Sequence, residues 1–181
     1  MVLFLTFWIL SGNLPDRCDE AEEFAAIVEQ LALKPGQEVA DVGAGGGTWT
    51  RKLARYVGSQ GKVYGTDVKP HFLEGVRVIA RQRGFSHVEP VLGTEQDTGL
   101  KPASCDAILL RLVYHAFDDP KAMEKSLFSA LRPGGRILII GFRPKLPELE
   151  RAMTRSGFKA GWSTPNWCGH KEVYAQVFVK P

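Results

Sequence analysis

The sequence has little cysteine, little surplus charge and almost no long apolar run. Its 181 residues hold three cysteines, Cys18, Cys105 and Cys168. Their number is odd, their spacing wide, and no CxxC pair occurs. A zinc site or a disulfide framework therefore has no support, no metal site is expected, and reduced thiols are the expectation. The formal net charge is only +3. The surplus is spread over Arg51, Lys52, Arg55, Arg77, Arg81, Arg83, Arg132 and Arg136 instead of forming a stripe, which disfavours nucleic acid as the partner. No stretch approaches the roughly 20 apolar residues that a bilayer-spanning helix needs, so no stable membrane span is expected. Internal repeats and low-complexity linkers are also missing. What remains is 44% hydrophobic and 24% charged, a composition that excludes wholesale disorder and suits one domain with a substantial core.

The nearest thing to an apolar run is at the start, Met1–Leu10, MVLFLTFWIL. It is too short to cross a membrane. It matches the apolar part of a secretory signal in size but lacks a basic leader. Residues 1–18 are therefore set apart, as a lid over a cleft or alternatively as an exporting or anchoring segment, from a domain over residues 19–181. The lid reading goes with a cytoplasmic location.

Beyond it, short apolar runs alternate with amphipathic segments. Phe24, Ile27, Val28 and Leu31 have helical spacing within 19–33, and Lys34-Pro35-Gly36 stops that helix. Strands are predicted at 38–42, 62–68, 87–92, 106–114 and 136–142. Helices are predicted at 48–57, at 70–83 with Pro70 in its first turn, from the Asp119-Pro120 cap to 131, and at 147–156. Two last strands, near 160–163 and 172–179, have no helix between them. The pattern predicts an α/β domain, a doubly wound and mostly parallel seven-stranded sheet with an antiparallel hairpin at one edge.

The sharpest local feature is Val39-Ala40-Asp41-Val42-Gly43-Ala44-Gly45-Gly46-Gly47-Thr48. It follows a strand and opens a helix. Its glycines permit positive φ and a close approach of backbone to a ligand, and the helix start offers unpaired N–H groups. Asp67 ends the next strand, about 20 residues beyond Gly47, where an acid can hold both hydroxyls of a ribose. Together they point to an adenosine-containing cofactor. The dinucleotide fingerprint GxGxxG fails at its third glycine, where Thr48 stands, and Asp41 would repel a pyrophosphate. An acid there suits a cation, and S-adenosylmethionine carries both an ammonium and a sulfonium.

With these segments in order (EVADVGAGGG, VYGTDV, VEPVLGT, CDAILLRLVYHAF and LRPGGRILII), the sequence resembles the class I S-adenosylmethionine-dependent methyltransferases over about residues 20–181. The resemblance implies a Rossmann-like fold and S-adenosylmethionine as cofactor. Asp41, Gly43, Ala44 and Gly45 look like its methionine-side loop. Asp67 looks like the ribose acid, and Val68 like the adenine-packing position. Thr94 and Glu95 resemble the neighbourhood of the adenine amine, and Arg111 and Leu112 resemble residues at the methionine end. Three positions depart from the family pattern, all on the substrate side: Arg111, Ala116 after the histidine, and Gly141 at the end of the fifth strand.

Tyr114 and His115, just past the fourth strand, are the candidate catalytic residues. Methyl transfer needs a base when the acceptor is a hydroxyl or a carbon acid, and imidazole exchanges protons near neutral pH. The competing reading is that both residues pack beneath their loop. The expected function is methyl transfer to a small-molecule acceptor. The alternatives are a non-catalytic cofactor-binding regulatory or partner protein, motivated by the three departures, and a nicotinamide-dependent oxidoreductase, disfavoured by Thr48 and Asp41. The oligomeric state is open.

Overall fold

A computed structural model describes residues 18–142 and 146–181. All of the N-terminal apolar segment except Cys18 lies outside the described residues, and with it the lid or targeting assignment. Helix α1 (Glu20–Gln30) begins in a capping box. The Asp19 carboxylate accepts from the backbone N–H of Ala21 and Glu22, and the Glu22 side chain accepts from the Asp19 N–H. Two of the helix's orphan donors and the cap's own are thereby satisfied. Strand β1 (Glu38–Val42), helix α2 (Thr48–Val57), strand β2 (Lys62–Asp67), helix α3 (Pro70–Arg83) and strand β3 (Val88–Leu92) follow. After β4 (Cys105–Arg111), α4 (Pro120–Ala130) opens on Asp119, whose side chain accepts from the Ala122 N–H. Then come β5 (Leu131–Phe142), α5 (Leu146–Arg155), β6 (Lys159–Thr164) and β7 (Val173–Val179).

The seven strands form one sheet in the order β3-β2-β1-β4-β5-β7-β6. β1 to β5 are parallel, and β7 enters antiparallel between β5 and the edge strand β6. This is the predicted mostly parallel, doubly wound sheet with its antiparallel edge. Ile108, Leu109 and Leu110 of β4 are each 0% exposed. Consecutive strand residues face opposite sides, so their burial means that both faces are covered, as a continuous apolar run requires. One apolar cluster packs α1 and α2 on one face, and a second packs α4 and α5 on the other. Burying each such side chain contributes about 1.5–3 kcal/mol. The strand order reverses between β1 and β4, and the crevice at their C-terminal ends is the place where such sheets bind ligands.

Three local expectations are corrected. β4 ends at Arg111 and not at Tyr114, because Leu112 adopts a left-handed backbone, φ 57°, and residues 114–116 turn as a short 3-10 helix. β5 starts at Leu131, since Pro133-Gly134-Gly135 makes a register slip within the strand and not a turn before it. Cys18 and Cys168 are joined in a disulfide across a sequence separation of 150, with Cα atoms 5.1 Å apart. The start of α1 lies against the turn before β7, so distance along the chain was no guide to distance in space. Cys105 alone is free, and it is buried. Among the described residues no helix is long and apolar enough to cross a membrane.

Candidate functional site

The glycine loop runs from the end of β1 to the start of α2 and is strapped to β2. The backbone N–H groups of Gly43 and Ala44 both donate to the Thr66 carbonyl at 2.9 Å. Gly43, Gly45 and Gly47 have φ values of 77°, 50° and 83°, conformations that side chains with a Cβ resist. The space in front of Gly45 is open, with no atom within 4 Å of where its Cβ would be. A loop held from behind, with empty space before its middle glycine, is a cradle.

Asp41 and Asp67 brace this loop from below and from the side. Asp41 is 2% exposed and accepts the Thr50 hydroxyl at 2.7 Å. The N-cap of α2 is Gly47, which has no side chain to cap with. Asp41, bonded also by the Thr50 backbone, serves the helix start in its place. Burial pushes its carboxyl up to about 6, with the Thr50 hydrogen bonds opposing the shift. Asp67 accepts from the Gly45 N–H at 3.0 Å and from the Lys69 N–H at 2.9 Å. A carboxylate accepts about four hydrogen bonds, so these two bonds use only part of its capacity.

Beside Asp67 opens a cavity of about 230 Å³, lined among others by Gly43, Val68, Thr94, Glu95, Phe117 and Met123. Five of the residues predicted from sequence, Gly43, Asp67, Val68, Thr94 and Glu95, therefore meet around one space. Glu95 and Asp118 are hydrogen-bonded at their side chains, and Asp118 pushes the exposed Glu95 carboxyl up. The far wall is fixed by Ser126, which bonds Thr98 and Asp97 from α4.

Arg111 and Leu112 are not in this wall. Arg111 stands at the end of β4 on the side of α1. Its Nε and Nη2 donate to the two Glu23 carboxylate oxygens at 2.8 and 3.0 Å. The guanidinium lies 4.8 Å from the Trp49 ring centroid in the first turn of α2. The buried Trp167 indole also donates to Glu23, at 2.9 Å. The strained Leu112 donates its N–H to the Ile140 carbonyl. It turns the chain so that Val113 reaches the glycine loop.

Tyr114 points away from the cradle, to the α4 side of the sheet. Its hydroxyl donates to the buried Glu124 at 2.7 Å, and Ser156 donates to the other Glu124 oxygen at 2.6 Å. Burial first, and then the Glu124 bond, raise the phenol well above its ordinary range. His115 is exposed, with its ring centroid 5.2 Å from that of Phe142. It borders a separate, wider cleft of about 1,090 Å³ between the 114–121 segment and α5. Among the described residues no group of three or more His, Cys, Asp or Glu could hold a metal ion.

The methyltransferase-domain family matches residues 33–176 of this chain. The chain belongs to the class I S-adenosylmethionine-dependent methyltransferases. The ubiquinone/menaquinone biosynthesis C-methyltransferase UbiE of Vibrio campbellii is 31% identical over 133 residues, 72% of this chain and 51% of that protein. A demethylmenaquinone methyltransferase of Anoxybacillus flavithermus is 27% identical over 124 residues, 64% of this chain and 52% of that protein. This class I chain spans about half the length of the curated relatives it matches. Among solved structures, a SAM-dependent methyltransferase from Aquifex aeolicus has a TM-score of 0.79 at 21% identity, covering 87% of this chain and 89% of that one. The [4+2]-cyclase SpnF has a TM-score of 0.77 at 16% identity, covering 92% and 85%. These two likenesses speak for the methyltransferase fold alone, since one of the pair is named a cyclase.

Sequence reasoning missed Glu23, Trp49, Phe117 and Met123. Trp49 directly follows Thr48 at the helix start, so its place beside the loop was open to inference. Glu23 reads as one more acid in the first turn of a helix, and nothing local links it to Arg111.

Proposed function

We propose that this chain binds S-adenosylmethionine across the C-terminal ends of β1, β2 and β4 and methylates a small organic acceptor. The observation that carries this reading is the cavity of about 230 Å³ that brings Gly43, Asp67, Val68, Thr94 and Glu95 around one space, with Asp67 using only part of its capacity as an acceptor. When bound, S-adenosylmethionine supplies a methyl group on a cationic sulfur. Asp67 would take the ribose hydroxyls, while Thr94 and Glu95 would face the adenine. The loop from Gly43 to Gly47 would carry the methionine portion, and ionised Asp41 beneath it provides the negative charge that a cationic ligand needs. Leu112 and Val113 would close the side next to the acceptor. His115, exposed beside Phe142, is available to take a proton from a hydroxyl or carbon acid. Tyr114, with its hydroxyl committed to Glu124, serves as a strut.

Calorimetry with S-adenosylmethionine, S-adenosylhomocysteine and a nicotinamide dinucleotide tests the cofactor. Tight binding of the first two and none of the third is expected. Selective binding of the dinucleotide would overturn the reading. Turnover on a panel of small acceptors tests the reaction, with a demethylated quinol included because the curated relatives' names point to one. A second reading, cofactor binding without methyl transfer, is favoured by the engagement of Tyr114. Binding with no turnover on any acceptor would support it.

The donor is made in the cytosol, which favours a cytoplasmic location. The Cys18–Cys168 bond argues for an oxidising compartment. Non-reducing mass spectrometry of protein from its native cell decides between them.

A further inference from the structure

Arg111 is a fixed cation placed beside a site that, on the proposed reading, takes a cationic ligand. It follows Leu110, whose Cα partner on β1 is Val42, so it stands level with Gly43. It rests on Trp49 at the other end of the glycine loop, and its charge reaches Asp41. The nucleoside cavity is lined by Asp67, Val68, Val113 and Phe117 among others, and neither Arg111 nor Trp49 lines it. A cofactor with its adenosine there would direct its other end, the sulfur and the amino-acid group, towards Arg111. Unopposed, a guanidinium at this point would repel a sulfonium. Glu23 opposes it with a bidentate pair whose side chains are 29% and 11% exposed, too enclosed for salt to screen fully. The Trp167 indole fixes the Glu23 carboxylate from behind.

We infer that Glu23 is a positioning residue that sets the charge selectivity of the donor pocket. By neutralising Arg111 it lets the site hold the sulfonium donor instead of favouring the uncharged thioether product. The inference rests on the S-adenosylmethionine reading above and adds to it a residue from α1 that the glycine loop does not include. It concerns the difference between two ligands that differ by one methyl and one positive charge at sulfur.

The test is the ratio of the dissociation constants for S-adenosylmethionine and S-adenosylhomocysteine, measured by calorimetry. Glu23→Gln keeps acceptor and donor groups but removes the charge. It should weaken the sulfonium ligand about tenfold more than the thioether, the order expected of one unit charge roughly 10 Å away at an effective dielectric of about 20. Arg111→Met should move the ratio the opposite way, and the double variant should bring it back near the wild-type value. High salt should shrink both shifts. Equal weakening of the two ligands, or a ratio that moves the same way in both single variants, would show a merely structural pair and overturn the inference. If Glu23→Gln does not fold, the opposite shift in Arg111→Met still decides it. Wild-type protein that binds neither ligand would instead overturn the cofactor reading itself.

Discussion

The Cβ that Gly43 lacks would lie 2.6 Å from Cγ2 of Val113. The glycine loop and the segment after β4 are therefore in direct contact, and Gly43 is required twice, by its φ of 77° and by this neighbour. Gly45 is different, because nothing stands within 4 Å of its absent Cβ. Gly43→Ala should cost about 1–3 kcal/mol of stability through overpacking and strain. Val113→Ala in the same chain should recover part of it. Gly45→Ala should cost about 1–2 kcal/mol from its left-handed backbone alone yet lose cofactor affinity, because the methyl enters the cradle. Denaturant melts and calorimetry separate the two effects. A stable Gly45→Ala with normal affinity would mean that no ligand approaches the backbone there.

Asp67 links that loop to the end of β2. Asp67→Ala removes the acceptor for the Gly45 and Lys69 N–H groups and, on the proposed reading, for the ribose. Cofactor affinity should fall by about 1.5–3 kcal/mol, the range for hydrogen bonds to a charged group. Asp67→Asn should retain part of it, since an amide oxygen still accepts. Unchanged calorimetric affinity in a folded Ala variant would remove Asp67 from the site.

The disulfide makes a separate prediction. Cys18 and Cys168 close a loop of most of the chain, so losing the bond releases much conformational entropy in the unfolded state. Cys168→Ser should lower stability by about 2–5 kcal/mol under oxidising conditions, with little difference from wild type after reduction. Thiol titration of denatured, unreduced protein should find Cys105 alone. Three titratable thiols would mean that the bond does not form in solution.

The order of elements was legible because it rests on local signals. Asp119-Pro120 and Pro70 start helices at the positions their side-chain chemistry favours, and the apolar runs 107–110 and 137–140 are buried on both faces. The end of β4 was not legible, because the left-handed residue there is Leu112 and not a glycine that would have announced it. The direction of Tyr114 depends on that same kink, so its partner Glu124 was hidden too. Asp41, Asp67 and the glycines were legible as a cradle because all three signals lie within a strand or a loop of one another. Glu23 with Arg111, and Cys18 with Cys168, are contacts that only the packed tertiary structure brings about. Neither residue of either pair carries a sign of the other.

The last prediction concerns Asp41 and pH. Burial raises its carboxyl from 3.8 to about 6. The folded state thus holds this proton more tightly than the unfolded chain does. The stability that comes with the protonated form is full below about pH 4 and is lost as pH rises through about 6. Above that the ionised group costs a constant amount, on the order of 3 kcal/mol for two units of pKa. Asn keeps an oxygen for the Thr50 hydroxyl and never ionises. Asp41→Asn should therefore match wild type near pH 4 and exceed it in stability above pH 6, and the difference between the two curves isolates this group from other carboxyls. The same charge is what the proposed site offers to a cationic ligand. Asp41→Asn should accordingly bind S-adenosylmethionine poorly at every pH, while wild-type affinity falls as the medium is acidified below about 6. Denaturation curves that run parallel from pH 4 to 8 would show that Asp41 is ordinary in its acidity. Undiminished binding by the stabilised variant would show that its charge does not serve the ligand.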